Sequence, residues 1–214
     1  MNSTFARAVD EVFLTSISLL SDLQQGGDWE APALQRRLIT AVDQAESLLR
    51  GSEWTSEWDL AKYALVAWLD EMLVDELEWP GSEWWSNNVL EVHYFRTREC
   101  STRFFERSRE VLERRALNAF EVYYDCVLLG FQGMYRNPLL AEQMAPALGL
   151  APRLDSLVAL AHRELQLSSR PLDIKARRPD LVPATPLVSE RLTRWPITLA
   201  ILLLILNLAL PWIR

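Results

Sequence analysis

Cysteine, histidine and glycine are all scarce in this chain: two, two and seven of 214 residues. Two cysteines, Cys100 and Cys126, cannot form a disulfide framework, so a reducing compartment is the default and stability must come from an ordinary core. Both cysteines fall in apolar helical patterns and read as inert thiols. The histidines, His93 and His162, lie far apart and offer no metal-ligand spacing with other His or Cys. Period-two alternation is nowhere sustained and there is no internal repeat. With glycine rare and Leu, Ala, Glu and Arg plentiful, an all-α fold is expected. The motifs G-x-S-x-G, P-loop, G-x-G-x-x-G and H-E-x-x-H are also absent. The reading is therefore of a protein that is not an enzyme, with no cofactor and no metal.

One absence is local. From Trp195 to Ile213, "WPITLAILLLILNLALPWI" contains no charged residue. At about 1.5 Å per residue, such a helix spans roughly the ~30 Å hydrocarbon core of a bilayer. Arg194 and Arg214 bracket it, and Trp195 and Trp212 sit where interfacial aromatics belong. Asn207, a polar group in mid-run, suggests a hydrogen bond to a second helix, or back to its own. The N-terminal "MNSTFARAVDEVF" is charged and amphipathic, unlike a signal peptide. A tail-anchored protein with a single membrane span is expected. Residues 170–194 hold Arg170, Lys175, Arg177, Arg178, Arg191 and Arg194, whereas only Arg214 follows the run. The positive-inside rule then puts the N-terminal domain in the cytoplasm, with only Arg214 and the last turn reaching the far side.

The expected organisation is a cytoplasmic helical domain over 1–169, a Pro/Arg-rich linker over 170–194 and a transmembrane helix over 195–213. Residues 1–169 carry 15 Lys and Arg against 26 Asp and Glu, a net of −11; residues 170–214 carry 7 against 3, a net of +4. The acidic domain repels phosphate, so no nucleic-acid partner is expected, while the basic stretch favours a lipid bilayer with anionic headgroups. About seven to eight helices are predicted: 3–24, 31–50, one from Ser56 ended by Pro80-Gly81, 82–95 with Ser82 as a possible cap, 98–114, 117–135 and 151–167, with at most short turns in "NPLLAEQMAPALG".

The informative stretch is "YALVAWLDEMLVDELEWPG", residues 63–81. It mixes Asp70, Glu71, Asp75, Glu76 and Glu78 with residues apolar on two faces of a helical wheel, so the helix should run through the middle of the domain. Carboxylates against apolar surface are costly unless something satisfies them. The wheel puts Asp70 among apolar neighbours and Glu71, Asp75 and Glu78 on one strip. An acid/base site needs a partner acid across a pocket, and none is marked. What remains is a solvated or internally bonded strip, or an acidic docking surface. Docking gains from the wider segment 53–91, which holds ten acids, one base (Lys62) and six tryptophans including Trp84 and Trp85. Glu71, Asp75, Glu78, Trp84 and Trp85 are the candidate partner-binding residues.

At this point the residues become familiar. "AWLDEMLVD" followed by "SEWW" resembles the A-x-x-D-E helix and downstream Ser-x-Trp of the DotU/IcmH family, called TssL in type VI secretion. "HYFRTRECSTRFFER" resembles the family's next segment. "FEVYYDCVLLGFQGMYR" is similar to its most characteristic one, ending Gly-Phe-x-Gly-x-Tyr. The resemblance runs over roughly residues 5–213. It implies a hook-like cytoplasmic bundle and a structural role beside a large IcmF/TssM-like inner-membrane protein. It also implies recruitment of the baseplate through a TssK-like component, with self-association. Asp70 and Glu71 match the family's acidic pair, and Gly130, Phe131, Gly133 and Tyr135 its glycine motif; Arg136 is placed to meet a carboxylate. Cys100-Ser101-Thr102 departs from the Ala-Gly-Glu of many relatives, and Gln132 stands where they often carry a charge. Two other readings stay open: a type IVB DotU/IcmH-like stabiliser of an IcmF-type subunit, and an unrelated tail-anchored cytoplasmic receptor.

Overall fold

The computed structural model describes residues 1–168. Within them the chain forms α1 (Ser3–Gln24), α2 (Ala31–Leu49), α3 (Thr55–Glu71), a π turn (Met72–Glu76), α4 (Ser82–Asn87), α5 (Leu90–Phe95), α6 (Cys100–Glu113), α7 (Leu117–Leu128), a 3-10 turn (Gly133–Arg136), α8 (Pro138–Ala147) and α9 (Leu154–Ser168). No strand occurs among the described residues, so the all-α expectation holds there. None of these helices is long and apolar enough to cross a membrane. The expected span, with Trp195, Asn207 and Trp212, and the linker over 170–194 lie outside the described residues.

α1 and α2 pair as a helical hairpin, each contributing one apolar stripe: Phe5, Val9, Val12 and Leu19 from α1, Leu34, Leu38, Val42 and Leu49 from α2. Asn2 caps α1 by accepting from the Thr4 N–H at 2.9 Å, and Pro32 sits in the first turn of α2, where its missing N–H costs nothing. α3 takes the central position expected from its two apolar faces. It packs against α1, α2, α5, α6 and α7, and twelve of its seventeen residues are buried.

Four sequence-based boundaries are revised. The third helix stops at Glu71 and widens into the π turn, where Leu77 N–H reaches back to Met72 O at 3.0 Å. Leu77 is then extended, and Trp79 folds back so that its indole N–H donates to Leu73 O at 2.8 Å. The 82–95 segment is two helices, broken where Asn88 leaves helical geometry and Val89 is extended; Ser82 makes no capping bond. The apolar helix from 117 ends at Leu128 rather than 135. Gly130 adopts φ +107, and Gly130 N–H and Phe131 N–H bond back to Val127 O and Cys126 O at 3.1 and 3.0 Å. That paired closure needs a left-handed residue, which glycine supplies without strain. Finally, "PLLAEQMAPA" is a ten-residue helix, capped by Asn137, which accepts from Leu139 and Leu140 N–H.

Candidate functional site

Three acids of α3, Glu57, Asp70 and Glu71, face the starts of other elements. α5, α6, α7 and the 3-10 turn begin after Val89, Glu99, Ala116 and Gln132, and none of these four residues caps its own helix through its side chain. Each helix start leaves backbone N–H groups without an intrahelical partner. In all four cases a carboxylate from elsewhere in the chain accepts them.

Asp70, at the end of α3 and 2% exposed, takes Leu90 and Glu91 N–H at 2.8 and 2.7 Å and the indole N–H of Trp85 at 2.9 Å. Glu91, on the α5 so capped and also buried, takes Glu99 and Cys100 N–H at 3.0 and 3.1 Å at the start of α6. It also accepts from the Tyr63 hydroxyl at 2.7 Å and the Thr97 hydroxyl at 2.8 Å. Glu57, in the first turn of α3, takes Asn118 and Ala119 N–H at 3.0 and 3.3 Å at the start of α7. Glu71 takes Gln132 and Gly133 N–H at 2.7 and 2.9 Å at the start of the 3-10 turn. Charge-assisted bonds to helix N-termini are among the stronger ones available, and the partial positive charge there favours an anion. They are what makes buried carboxylates tolerable in an apolar helix.

Glu71 has a further partner in Arg136, whose guanidinium bridges Glu71 at 2.8 Å and Glu76 at 2.5 Å. The acidic pair of α3 and the Gly-Phe-x-Gly-x-Tyr segment, distant in sequence, therefore meet at one junction. Phe131 is buried and stacks on Phe104 with ring centroids 4.0 Å apart. Tyr135 lies edge-on to Phe105 and donates to Ala151 O at 2.6 Å. Gly133 sits at φ +52, and a Cβ there would come within 2.6 Å of Ser101 O and 2.9 Å of the Phe105 and Phe131 rings. Glycine at 133 is thus a packing requirement, distinct from the turn-forming role of Gly130.

This geometry divides the sequence-derived candidates. The strip of Glu71, Asp75 and Glu78 does not exist as a surface. Glu71 is 4% exposed and spent on the 3-10 turn, while Asp75 and Glu78 are exposed. The α-helical wheel misplaced them because the π turn begins at Met72, and a wheel of about 100° per residue no longer applies beyond it. Glu76 is exposed and ion-paired to Arg136. Trp85 is fully buried, its N–H committed to Asp70, so it presents no surface; Trp84 is half-buried beside it. Glu57 and Glu91 were counted among the ten acids but not singled out. The signal that would have found them is the run of helix starts after Val, Glu and Ala, residue types that leave caps to be supplied from elsewhere.

A small cavity of about 180 Å³ lies over the buried acids, bounded by Asp70, Glu71, Glu91, Arg98 and Cys100, with exposed Asp75 also lining it. Arg98 donates to Ser86 O and Asn87 O at 2.7 and 2.8 Å, closing the end of α4. Burial raises the Asp70 carboxyl to about 7; its three donors pull down against that and the nearby Glu91 charge pushes further up. Burial and then the Glu91 charge push the Cys100 thiol up to about 12, so it is protonated and unreactive near neutrality. Among the described residues, no three His, Cys, Asp or Glu side chains converge in a metal-holding arrangement.

The profile of the family described as Type VI secretion system protein DotU matches residues 4–214. The chain belongs to the DotU family. A solved structure with a similar fold is the cytoplasmic domain of TssL from Acinetobacter baumannii, at a TM-score of 0.57 and 23% identity over 73% of this chain and 95% of that one. The likeness extends to the helical architecture alone. No curated protein sequence matches the chain. Family membership sets aside the unrelated tail-anchored receptor and places the chain among type VI secretion proteins.

Proposed function

We propose that this DotU-family chain is a non-enzymatic structural component of a secretion-system membrane complex. In this reading residues 195–213 anchor it in the inner membrane beside an IcmF/TssM-like subunit. The cytoplasmic helical domain recruits a TssK-like baseplate component, and the chain self-associates. One observation carries the choice of a binding over a chemical role. The four carboxylates that look most like reactive groups, Glu57, Asp70, Glu71 and Glu91, already hold helix starts together. The other six acids of 53–91, namely Glu53, Asp59, Asp75, Glu76, Glu78 and Glu83, are exposed. Acids whose oxygens are held by backbone donors are spent on structure, whereas exposed ones steer a basic partner.

The test is co-purification of the full chain, solubilised from membranes, with an IcmF/TssM-like subunit and with the baseplate component. Both should be retained, and the baseplate interaction should weaken as salt rises through the range where exposed charges are screened within ~8–10 Å. Retention of neither partner would sink the reading. A type IVB role predicts instead that the IcmF-type subunit is retained and is degraded in cells lacking this chain, with no baseplate interaction at any salt concentration.

A further inference from the structure

We propose that the neighbouring outer faces of α1 and α7 form a second protein-docking surface, fitted to an amphipathic helix that carries Lys or Arg among its apolar residues. The inference uses neither the membrane span nor the acids of 53–91, and goes beyond the reading above.

α1 and α7 rise side by side in the same direction. At their starts the Asn2 N–H donates to the Asn118 side chain at 2.6 Å. Two turns on, Asp10 and Asp125 are close enough for their charges to act on each other. A turn further, Phe13 lies edge-on to Trp68 with ring centroids 5.4 Å apart, and the Trp68 indole N–H donates to Leu129 O at 3.3 Å. The offset in sequence is nearly constant at the three levels, as two helices rising together require. Val9, Val12 and Ser16 of α1 and Ala119, Val122 and Cys126 of α7 point into the core. The opposite side of each helix carries a stripe at i, i+4 and i+7: Asp10, Leu14 and Ile17 on α1, Glu121, Asp125 and Leu128 on α7. Leu14 is 70% exposed, Leu128 56%, Ile17 42% and Leu129 40%. Four large aliphatic side chains open to water at one level of two adjacent helices form a patch rather than scattered surface leucines.

Charge selects the occupant. The two helices hold five acids, Asp10, Glu11, Asp22, Glu121 and Asp125, against a single Lys or Arg, Arg7. Glu121 is paired with the Met1 amine at 2.5 Å. Asp125 is different: it is half-buried, yet its carboxylate accepts no hydrogen bond and joins no ion pair among the described residues. Burial, then the charges of Glu121 and Asp10, push its carboxyl up to about 6, while the Met1 amine pulls the other way. The acids that cap helix starts are each repaid by backbone donors; Asp125 sits between an acid of its own helix and one of the neighbour with no donor at all. A Lys or Arg brought by a partner supplies that donor, and the leucines around it keep water from the pair. The same acids repel phosphate, so neither an anionic lipid surface nor a nucleic acid fits this face. Apolar anchors at i, i+4 and i+7 are the spacing by which one helix receives another.

The experiment uses the full chain in phosphatidylcholine nanodiscs, with Leu14→p-benzoylphenylalanine or Leu128→p-benzoylphenylalanine as a photo-crosslinker. Leu139→p-benzoylphenylalanine is the reference, as exposed as Leu14 but on α8, whose main contact is the 3-10 turn. The probe is a synthetic amphipathic helix of leucine and lysine, with its leucine–glutamate counterpart as control. On irradiation the lysine peptide should form adducts at Leu14 and Leu128 several-fold more than at Leu139, and the glutamate peptide should not exceed the reference. Asp10→Asn with Asp125→Asn relieves a repulsion and so keeps the melting temperature, yet should cut the lysine peptide's affinity about tenfold. Asp75→Asn, Glu78→Gln and Glu83→Gln together should leave the adducts in place, which separates this surface from the acids of 53–91. Equal adducts at all three positions, equal yields from the two peptides, or unchanged affinity in the Asp10 and Asp125 double variant overturns the proposal. So does loss of the adducts in the triple variant alone. In cells bearing the chain's own secretion genes, the Leu128 crosslinker should capture a protein segment rich in Lys or Arg, and the adduct should vanish with Asp125→Asn. An adduct to phospholipid, or one indifferent to Asp125→Asn, gives the face to another occupant and overturns the proposal as well.

Discussion

α3 and α9 are helices of similar length and opposite fate. Twelve of the seventeen residues of α3 are buried, two of them carboxylates; none of the fifteen residues of α9 is buried although it is rich in leucine. Hydrophobicity therefore does not by itself decide which helix becomes the core. α3 is apolar around most of its circumference and is covered by five other helices, whereas α9 is apolar on one side and leans mainly on α7. The second difference lies in what the polar groups do. Glu57, Asp70 and Glu71 of α3 and Glu91 of α5 each meet backbone donors of another element, so withdrawing them from solvent ties helices together. The charges of α9 pair locally, as Arg153 does with Asp155, or face solvent. The fold is specified from the inside by polar bonds as much as by packing.

The sharpest way to break that contrast is to remove a cap. Glu91→Ala strands the start of α6 and leaves the hydroxyl of fully buried Tyr63 without its acceptor. Each buried orphan donor costs about 1–3 kcal/mol, so a loss of about 3–5 kcal/mol is expected in denaturant melts. Asp70→Ala should cost about as much. The double variant should fall short of the sum by about 0.5–3 kcal/mol, because Asp70 caps the helix that carries Glu91. Additive losses would mean that the two caps act independently and that no chain of support runs from α3 through α5 to α6.

Next in size is the junction of the two family motifs. Gly133→Ala puts a methyl against Ser101 O and two rings at a positive φ, for an expected loss of about 2–4 kcal/mol from strain and overpacking combined. Gly130→Ala meets only the flexible end of Met72, at 3.7 Å, and should cost about 1 kcal/mol for its backbone conformation alone. Equal melting temperatures for the two variants would contradict the distinction between a packing glycine and a turn glycine.

Much of this was legible in the sequence, and the rest was hidden for a definable reason. The all-α class, the central place of 63–72 and the burial of Asp70 could all be read from periodicity and composition, while the Arg136–carboxylate contact came with the family resemblance. The family resemblance picked out both segments of the junction. What failed was local geometry that no regular period encodes. The π turn broke the regular period that set the wheel positions of Asp75 and Glu78, Gly130 ended α7 seven residues early, and Asn88-Val89 split one helix into two. The trans caps escaped because donor and acceptor lie 8 to 62 residues apart, beyond the reach of any capping rule that looks three residues ahead.

A smaller effect is a pH dependence to which Asp70 of α3 contributes. The Asp70 carboxyl, raised by burial to about 7 from an ordinary 3.8, keeps its proton in the folded chain over a window in which the unfolded chain has lost it. Unfolding then releases a proton, and the stability contributed by this group falls as pH rises from about 4 to about 7, then levels off. The slope is at most about 1.4 kcal/mol per pH unit. Asp70→Asn, less stable overall because its amide turns an N–H toward backbone donors, removes this titration. Its deficit relative to the wild type should therefore narrow across the window. Parallel stability curves would place the Asp70 carboxyl at an ordinary value and its burial cost elsewhere.

The smallest effects on stability are expected where the comparison began, at the exposed groups. Asp75→Asn, Glu78→Gln and Glu83→Gln together remove three exposed charges outside the cap network. Surface substitutions of this kind stay within about 0.5 kcal/mol, and relief of like-charge repulsion offsets part of that. Their effect should fall on encounter instead. Association of the full chain with a basic baseplate component should slow at low salt and converge with the wild type as exposed charges are screened, while the dissociation rate changes little. Glu71→Gln should do the reverse, lowering the melting temperature through the 3-10 turn and leaving the salt dependence of association unchanged. Stopped-flow or surface-resonance rates across a salt series, with melting curves alongside, separate the two. If the triple variant associates as fast as the wild type at low salt, the exposed acids are solvated bystanders. If Glu71→Gln alone slows association without lowering the melting temperature, the buried and exposed acids have been assigned the wrong way round.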